Sequence, residues 1–291
     1  MSNLKEIRTR IASVESTKKI TSAMKLVSAA KLRRAQNAIS NLRPYSRKLN
    51  EILQNLSGKI SEENPLFKVR KPENVVLVAI TSNRGLCGAF NSNIIKEIDQ
   101  IVNKEYLQQL HNGTLKLICI GEKATEQLKK KYEVMYANSV LLDTPRFEEI
   151  ATISSHLMND FVQNKIDKVE VVYNRFVNAA TQNLTRETFL PVTDLATSSE
   201  KSLQTDYILE PSQEELVNEL IPKILILQLY KTLLDSIASE HGARMTAMAK
   251  ATDNATEIIK DLKLKYNNAR QAAITNELNE IVSGAEALKN L

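Results

Sequence analysis

The chain has 291 residues, of which 43% are hydrophobic and 25% charged, a balance that excludes a disordered polymer. Its net charge of +5 is uneven: residues 1–50 hold 12 Lys and Arg against Glu6 and Glu15, leaving 27 basic and 32 acidic residues elsewhere. So basic a block implies an acidic partner surface or nucleic acid near the start of the chain, with a solvated helix face as the plain alternative.

Apolar residues recur every three to four positions from the N-terminus: Leu4, Ile7, Ile11, Val14, Ile20, Met24, Val27, Ala30, Ala35, Ala38, Leu42, Leu49, Ile52 and Leu56. Mixed steps of three and four predict one helix buried along a seam. Asn3 and Glu6 read as its capping box and Gly58 as its stop. Pro44 is expected to kink it near Arg43. At ~1.5 Å per residue the helix is roughly 80 Å long, more than a small domain needs.

Pro65 and Pro72 mark a linker. Val75–Ile80 then reads as a strand buried on both faces, followed by the polar loop Ser82–Gly88. A helical pattern runs from Asn91 to Leu110, and a second strand from Leu115 to Ile120. Helices are expected over Glu122–Lys131 and Phe147–Gln163, a strand over Val169–Phe176, and an edge strand over Leu184–Val192. Alternating buried strands and helices predict a mostly parallel, Rossmann-like α/β sheet.

Ser212 and Glu215 form a second capping box after Pro211. Helical periodicity continues through Leu216, Leu220, Ile224, Leu227, Leu234, Ile237, His241, Met245, Met248, Ala255, Ile258, Leu262, Ala269, Ala273, Leu278, Ile281, Ala285 and Leu288. Pro222 should bend this helix, and Gly242 is a candidate for close crossing with the first. At ~1.5 Å per residue it would span about 115 Å. The fold class is therefore α/β: a long antiparallel coiled coil of the terminal helices, with a Rossmann-like domain inserted between them. The expected divisions are 1–58, 72–210 and 211–291. The last helix outruns the first by about 35 Å, leaving an unpaired tip from roughly Asn268 to Leu291. A lone helix with that much apolar surface needs a sleeve from another chain.

Catalytic patterns are thin. Gly85 and Gly88 lack G-x-G-x-x-G spacing and a P-loop Lys-Ser/Thr, and a tight strand-to-helix turn accounts for both. His111, His156 and His241 are scattered. Glu148-Glu149 and Glu214-Glu215 fall in helix first turns, where the helix dipole favours negative charge. Cys87 and Cys119 have no metal-ligand spacing and read as small buried apolar residues. No apolar run approaches the ~18 residues of a membrane span. Aromatics for stacking on nucleic acid are nearly absent from the basic block, where Tyr45 stands alone. Three readings remain at this point: a mechanical coupling element, a nucleotide-binding α/β enzyme, and a nucleic-acid binder.

Longer motifs discriminate among them. Lys5-Glu6-Ile7-Arg8, Ile11-Ala12-Ser13-Val14 and Lys19-Ile20-Thr21-Ser22-Ala23-Met24 resemble the start of the F-type ATP synthase γ subunits, and Ser82–Gly88 their central loop. Met245-Thr246-Ala247-Met248, Ala251–Ala255, Tyr266–Leu278 and Glu280–Ala285 resemble their ending. The resemblance implies a non-catalytic rotor shaft, without cofactor or metal, coupling rotation of a membrane c ring to the β subunits and regulating ATPase activity and proton flow. It implies one copy per complex, with an α3β3 hexamer, an ε subunit and the c ring as partners, no nucleic acid, and membrane association through the complex only. It assigns Met24, Lys25, Arg270, Gln271, Thr275 and Glu277 to contacts with β. Arg43, Tyr45, Tyr207 and Glu210 are assigned to the foot near the c ring and ε. No insert with a regulatory cysteine pair is present, so a bacterial form on the cytoplasmic face of the membrane is expected.

Overall fold

The computed structural model describes residues 4–56, 64–192 and 213–289. Helix α1 spans Leu4–Leu56 and helix α7 spans Gln213–Lys289, the latter 77 residues long. Between them lie a short 3-10 turn (Pro65–Phe67), β1 (Val75–Ile80), α2 (Phe90–Glu105), α3 (Leu107–His111), β2 (Leu115–Ile120) and α4 (Glu122–Leu128). β3 (Val134–Asn138), α5 (Val140–Asp143), α6 (Phe147–Val162), β4 (Lys168–Phe176) and β5 (Gln182–Leu190) complete the order. The chain divides into two compact units, one of residues 1–27 with 245–291 and one of residues 28–244.

In the first unit α1 and α7 run antiparallel. Arg8 Nη2 donates to the Tyr266 hydroxyl at 3.0 Å, Lys263 lies 3.5 Å from Glu15, and the Thr21 and Thr252 hydroxyls are 2.8 Å apart. The α7 seam is a regular alternation of four and three: Met248, Thr252, Ala255, Ile259, Leu262, Tyr266, Ala269 and Ala273 are each at least half-buried. On α1 the matching heptad positions are Ile7, Ile11, Val14, Lys18 and Thr21. A strict seven-residue repeat keeps one stripe facing the partner helix. Ile20, Val27 and Ile258 were expected in the stripe but are exposed, the first two at 57%, and do not belong to the seam. Thr21 and Thr252 hold the seam there instead, one hydroxyl donating to the other while the second donates to a backbone carbonyl of its own helix, Lys18 or Met248.

In the second unit the sheet has the order β3-β2-β1-β4-β5, with the first four strands parallel and β5 antiparallel at an edge. Val75, Leu77 and Ala79 of β1 and Leu115, Leu117 and Cys119 of β2 pack on one face with Ile94 and Ile98 of α2 and Leu128 of α4. Side chains alternate across a strand, so Val76, Val78 and Ile80 are buried on the opposite face. Gly121, at φ 110°, closes the turn from β2 to α4, where a Cβ would meet the Thr81 carbonyl at 2.6 Å. α1 continues its heptad here through Ser28, Leu32, Ala35, Ile39, Leu42, Ser46 and Leu49, whereas Ala30 is exposed.

Several expectations are corrected. The helix after Asn91 stops at Glu105, since Tyr106 leaves helical geometry (φ −119°) before α3 begins. β3 is an additional strand, exposed through its centre. Gly242 approaches the hairpin between β4 and β5, not α1: a Cβ would sit 3.2 Å from the Ala179 carbonyl. The α7 seam persists to Ala273, several residues beyond the expected start of the unpaired tip. Asn3, Gly58 and Ser212 lie outside the described residues.

Candidate partner-contact surfaces

Beyond Ala273 the register of α7 changes meaning. The next seam positions are Asn276, Glu280 and Ser283, all polar. The apolar residues Ile274, Leu278, Ile281 and Val282 stand one or two positions round the helix and are 49%, 56%, 68% and 56% exposed. The chain thus ends its own coil and presents a second apolar stripe, since positions four and then three or four apart share a helix face. Arg270, Gln271, Thr275 and Glu277 are all exposed and flank this stripe along the same rows. The Thr275 hydroxyl bonds back to the Gln271 backbone carbonyl at 2.9 Å.

Met24 is half-buried in the coil and Lys25 exposed beside it. Arg8 lies opposite Tyr266, so Arg270 is level with about residue 4 of α1. Met24 is then roughly 30 Å further along the coil at ~1.5 Å per residue. The structure therefore separates the assigned β contacts into two groups along one rod of helix. Arg43 and Tyr45 flank Pro44, and both are exposed. Tyr207 and Glu210 lie outside the described residues.

The Ser82–Gly88 loop is consumed by its own fold. The Ser82 amide donates to Asn91 Oδ1 at 2.9 Å and the Ser82 hydroxyl to the Arg84 carbonyl at 2.6 Å. Leu86 and Gly88 both take positive φ, at 64° and 63°. Arg244 of α7 then donates through Nη2 to the carbonyls of Arg84 and Gly85, at 2.9 and 3.3 Å. A loop turning carbonyls toward a guanidinium is tied to a helix, whereas a phosphate cradle turns amides toward its ligand. Cys87 is buried in this turn, where burial pushes its thiol up; Cys119, in β2, is pushed up to about 11 for the same reason. Neither has thiolate character at neutral pH.

Sequence reasoning missed the polar block behind that tie. From Thr232 to Gly242, α7 is buried all round, including Glu240, His241 and, two residues on, Arg244. Arg244 Nη1 bonds Glu240, one helical turn before it. The acid–base pair four residues apart inside an apolar helix was the available signal. His241 is held down to about 4, first by burial and then by the nearby positive charges of Arg244 and Lys31. Its ordinary value is ~6.5, so between those limits the unfolded chain binds a proton that the folded chain refuses. Stability from this group is present above ~6.5 and is lost as pH falls towards about 4, with a limiting slope of ~1.4 kcal/mol per pH unit. Glu240 and Asp235, both raised by burial, act in the opposite sense. Denaturant titrations of His241→Phe beside the native chain isolate the histidine: the variant is expected to lose less stability below pH 6.5, and equal slopes would remove this assignment.

Among the described residues no three His, Cys, Asp or Glu side chains gather as a metal site requires, and no helix is long and apolar enough to cross a membrane. Comparison with known proteins decides the family. The family model described as ATP synthase matches residues 3–288. The ATP synthase gamma chain of Christiangramia forsetii is 51% identical over 290 residues, covering 99% of both chains. The chain belongs to the ATP synthase gamma-chain family. The gamma chain of Flavobacterium johnsoniae is 54% identical over the same extent. Among solved structures, a chain of the Tetrahymena thermophila mitochondrial ATP synthase central stalk and c ring superposes with a TM-score of 0.57 at 26% identity, covering 80% of this chain and 99% of that one. A chain of the Euglena gracilis mitochondrial ATP synthase in rotational state 3 gives 0.69 at 23%, covering 98% and 94%, a likeness of fold. The gamma-chain fold thus accounts for both long helices and for the sheet inserted between them.

Proposed function

We propose that this gamma chain is the central rotor shaft of an F1Fo ATP synthase. It couples ion-driven rotation of a membrane c ring to the conformational cycle of the catalytic β subunits, and it regulates ATP hydrolysis and proton flow. It works as one copy within an α3β3 hexamer, with an ε subunit and the c ring at its foot, and carries no reacting group of its own. The complex is a bacterial one, and the shaft sits on the cytoplasmic side of the membrane, held there by its partners. Residues 1–58 and 211–291 serve as the shaft, and residues 72–210 as the body at its base.

The observation that carries this reading is the second apolar stripe of α7. Four large aliphatic side chains left in water beyond the end of a coil need a surrounding surface, and a hexamer with a central bore supplies one. Names of relatives at about half identity over the whole chain support the same assignment. Met24 and Lys25 would meet an acidic loop of β on the basic face of α1. Arg270, Gln271, Thr275 and Glu277 would form polar contacts with β higher on the shaft. Arg43, Tyr45, Tyr207 and Glu210 would face the c ring and ε.

The polar set is tested by Arg270→Ala with Gln271→Ala. Both residues are exposed, so the free chain should keep its stability within ~0.5 kcal/mol. ATP synthesis by the assembled complex is expected to fall, and unchanged coupling would remove the assigned contact. Lys25→Ala tests the acidic loop, where a partly exposed ion pair is worth only ~0.2–1 kcal/mol.

A further inference from the structure

A polar cavity of about 250 Å³ opens between α7 and the β4–β5 pair, with Ser46 of α1 at its edge. Asp235 and Lys231 line it from α7, Tyr173 and Arg175 from β4, and Glu187 from β5. Asp235 is only 8% exposed, yet its carboxylate accepts no hydrogen bond and lies in no ion pair among the described residues. A carboxylate largely withdrawn from bulk solvent and left without a cationic partner is unfavourable, and a neighbouring cation would relieve it. Glu187 is already engaged, accepting from the Tyr173 hydroxyl at 2.8 Å.

Three cations surround the Asp235 carboxylate electrostatically: Lys231 one helical turn earlier on α7, Arg175 across on the sheet, and Arg43 on α1. Lys231 and Arg175 line the same cavity, are exposed, and are bonded to no carboxylate among the described residues. At ~30 Å³ per water the cavity has room for several waters or for one incoming head group. Long, flexible Lys and Arg side chains reach such a group by rotamer change alone.

We propose that Asp235 is an exchangeable latch: its carboxylate is bonded in turn by Arg175 of the sheet and by Lys231 of its own helix. In one state α7 is tied to β4; in the other the pair is internal to α7 and the tie to the sheet is released. Both states neutralise the buried carboxylate, so neither requires unfolding, and a load on the helix favours one over the other. Arg43 adds positive charge from α1 to both states, and Glu187 adds negative charge from β5.

The titration midpoint of the Asp235 carboxyl, read by carbon NMR in the full chain and assigned with Asp235→Asn, tests the exchange. Arg175→Gln and Lys231→Gln, both at exposed positions, are compared singly and together. Each single variant is expected to move the midpoint upward by less than about half a unit, because the other cation takes over. The double variant is expected to move it upward by about 1–3 units. A single variant that reproduces the whole shift of the double would overturn the latch in favour of one fixed pair. A double variant that leaves the midpoint in place would overturn it outright.

Discussion

Replacing Arg244 by Met is expected to destabilise the sheet-bearing unit by about 3–5 kcal/mol, the cost of stranding a buried charge. Glu240 is 7% exposed and among the described residues is bonded by Arg244 alone. The same guanidinium holds the carbonyls of Arg84 and Gly85. Methionine keeps the length of the side chain but leaves Glu240 uncompensated. Adding Glu240→Gln removes the charge and should recover most of the loss, since an apolar or neutral replacement of a whole buried pair is often tolerated. The deficit should also depend on pH. Burial raises the Glu240 carboxyl and Arg244 pulls it down. Without Arg244 the carboxyl rises further, and a group raised on folding contributes stability below its unfolded value and loses it as pH rises through its folded one. The deficit of Arg244→Met is therefore largest near neutrality and shrinks towards pH ~4.3. Urea unfolding at several pH values reads it, and a loss below 1 kcal/mol at pH 7 would mean that the tie between α7 and the Ser82–Gly88 loop carries little.

A second large effect is expected at the far end of α7. Changing Ile274, Leu278, Ile281 and Val282 together to Ser and Gln should leave unfolding of the free chain almost unmoved. All four are exposed and outside the coil seam. Assembly with an α3β3 hexamer should nevertheless fail or weaken severely. Burying one such side chain is worth ~1.5–3 kcal/mol, so four lost together amount to ~6–12 kcal/mol, the scale of the ~8 kcal/mol of an ordinary micromolar association. Size-exclusion chromatography of the mixed subunits reads the result. Full assembly by the variant would show that the stripe is not gripped by the hexamer.

The long helices were legible in the sequence because apolar residues recur at steps of three and four over many turns, although polar residues occupy some seam positions. The particular seam was less so. Following apolar residues alone led to Ile20, Val27, Ala30 and Ile258, while the structure continues the register through Thr21, Ser28 and Ile259. A hydroxyl pair can occupy a seam when each partner satisfies the other, and periodicity of hydrophobicity is blind to that. β1, β2 and β4 were readable as continuous buried runs. β3 was not, because Val134-Met135-Tyr136-Ala137-Asn138 lies at an edge and exposes its centre, so its pattern is neither alternating nor wholly apolar. α1 stays helical on both sides of Pro44, where the freed carbonyl of exposed Ser40 is open to water. The residues proposed as contacts at the tip were picked out by motif likeness alone, and the exposed apolar stripe beyond Ala273 is the structural feature that stands beside them. The Glu240–Arg244 pair was visible as an i,i+4 spacing, but its tie to the Arg84 and Gly85 carbonyls and the cavity at Asp235 emerge only once the sheet and α7 are placed together.

The central claim is that the two ends of the chain wind into one axle that turns as a body inside its partners. Single-molecule rotation tests it most directly. With the hexamer fixed to a surface and a bead attached at a cysteine introduced at exposed Lys129, ATP should drive one-way stepwise turning of the bead. The turning should persist when Thr21→Cys and Thr252→Cys are joined by a disulfide across the coil. ATP hydrolysis with a stationary bead, or turning that stops once the two helices are locked together, would contradict the account.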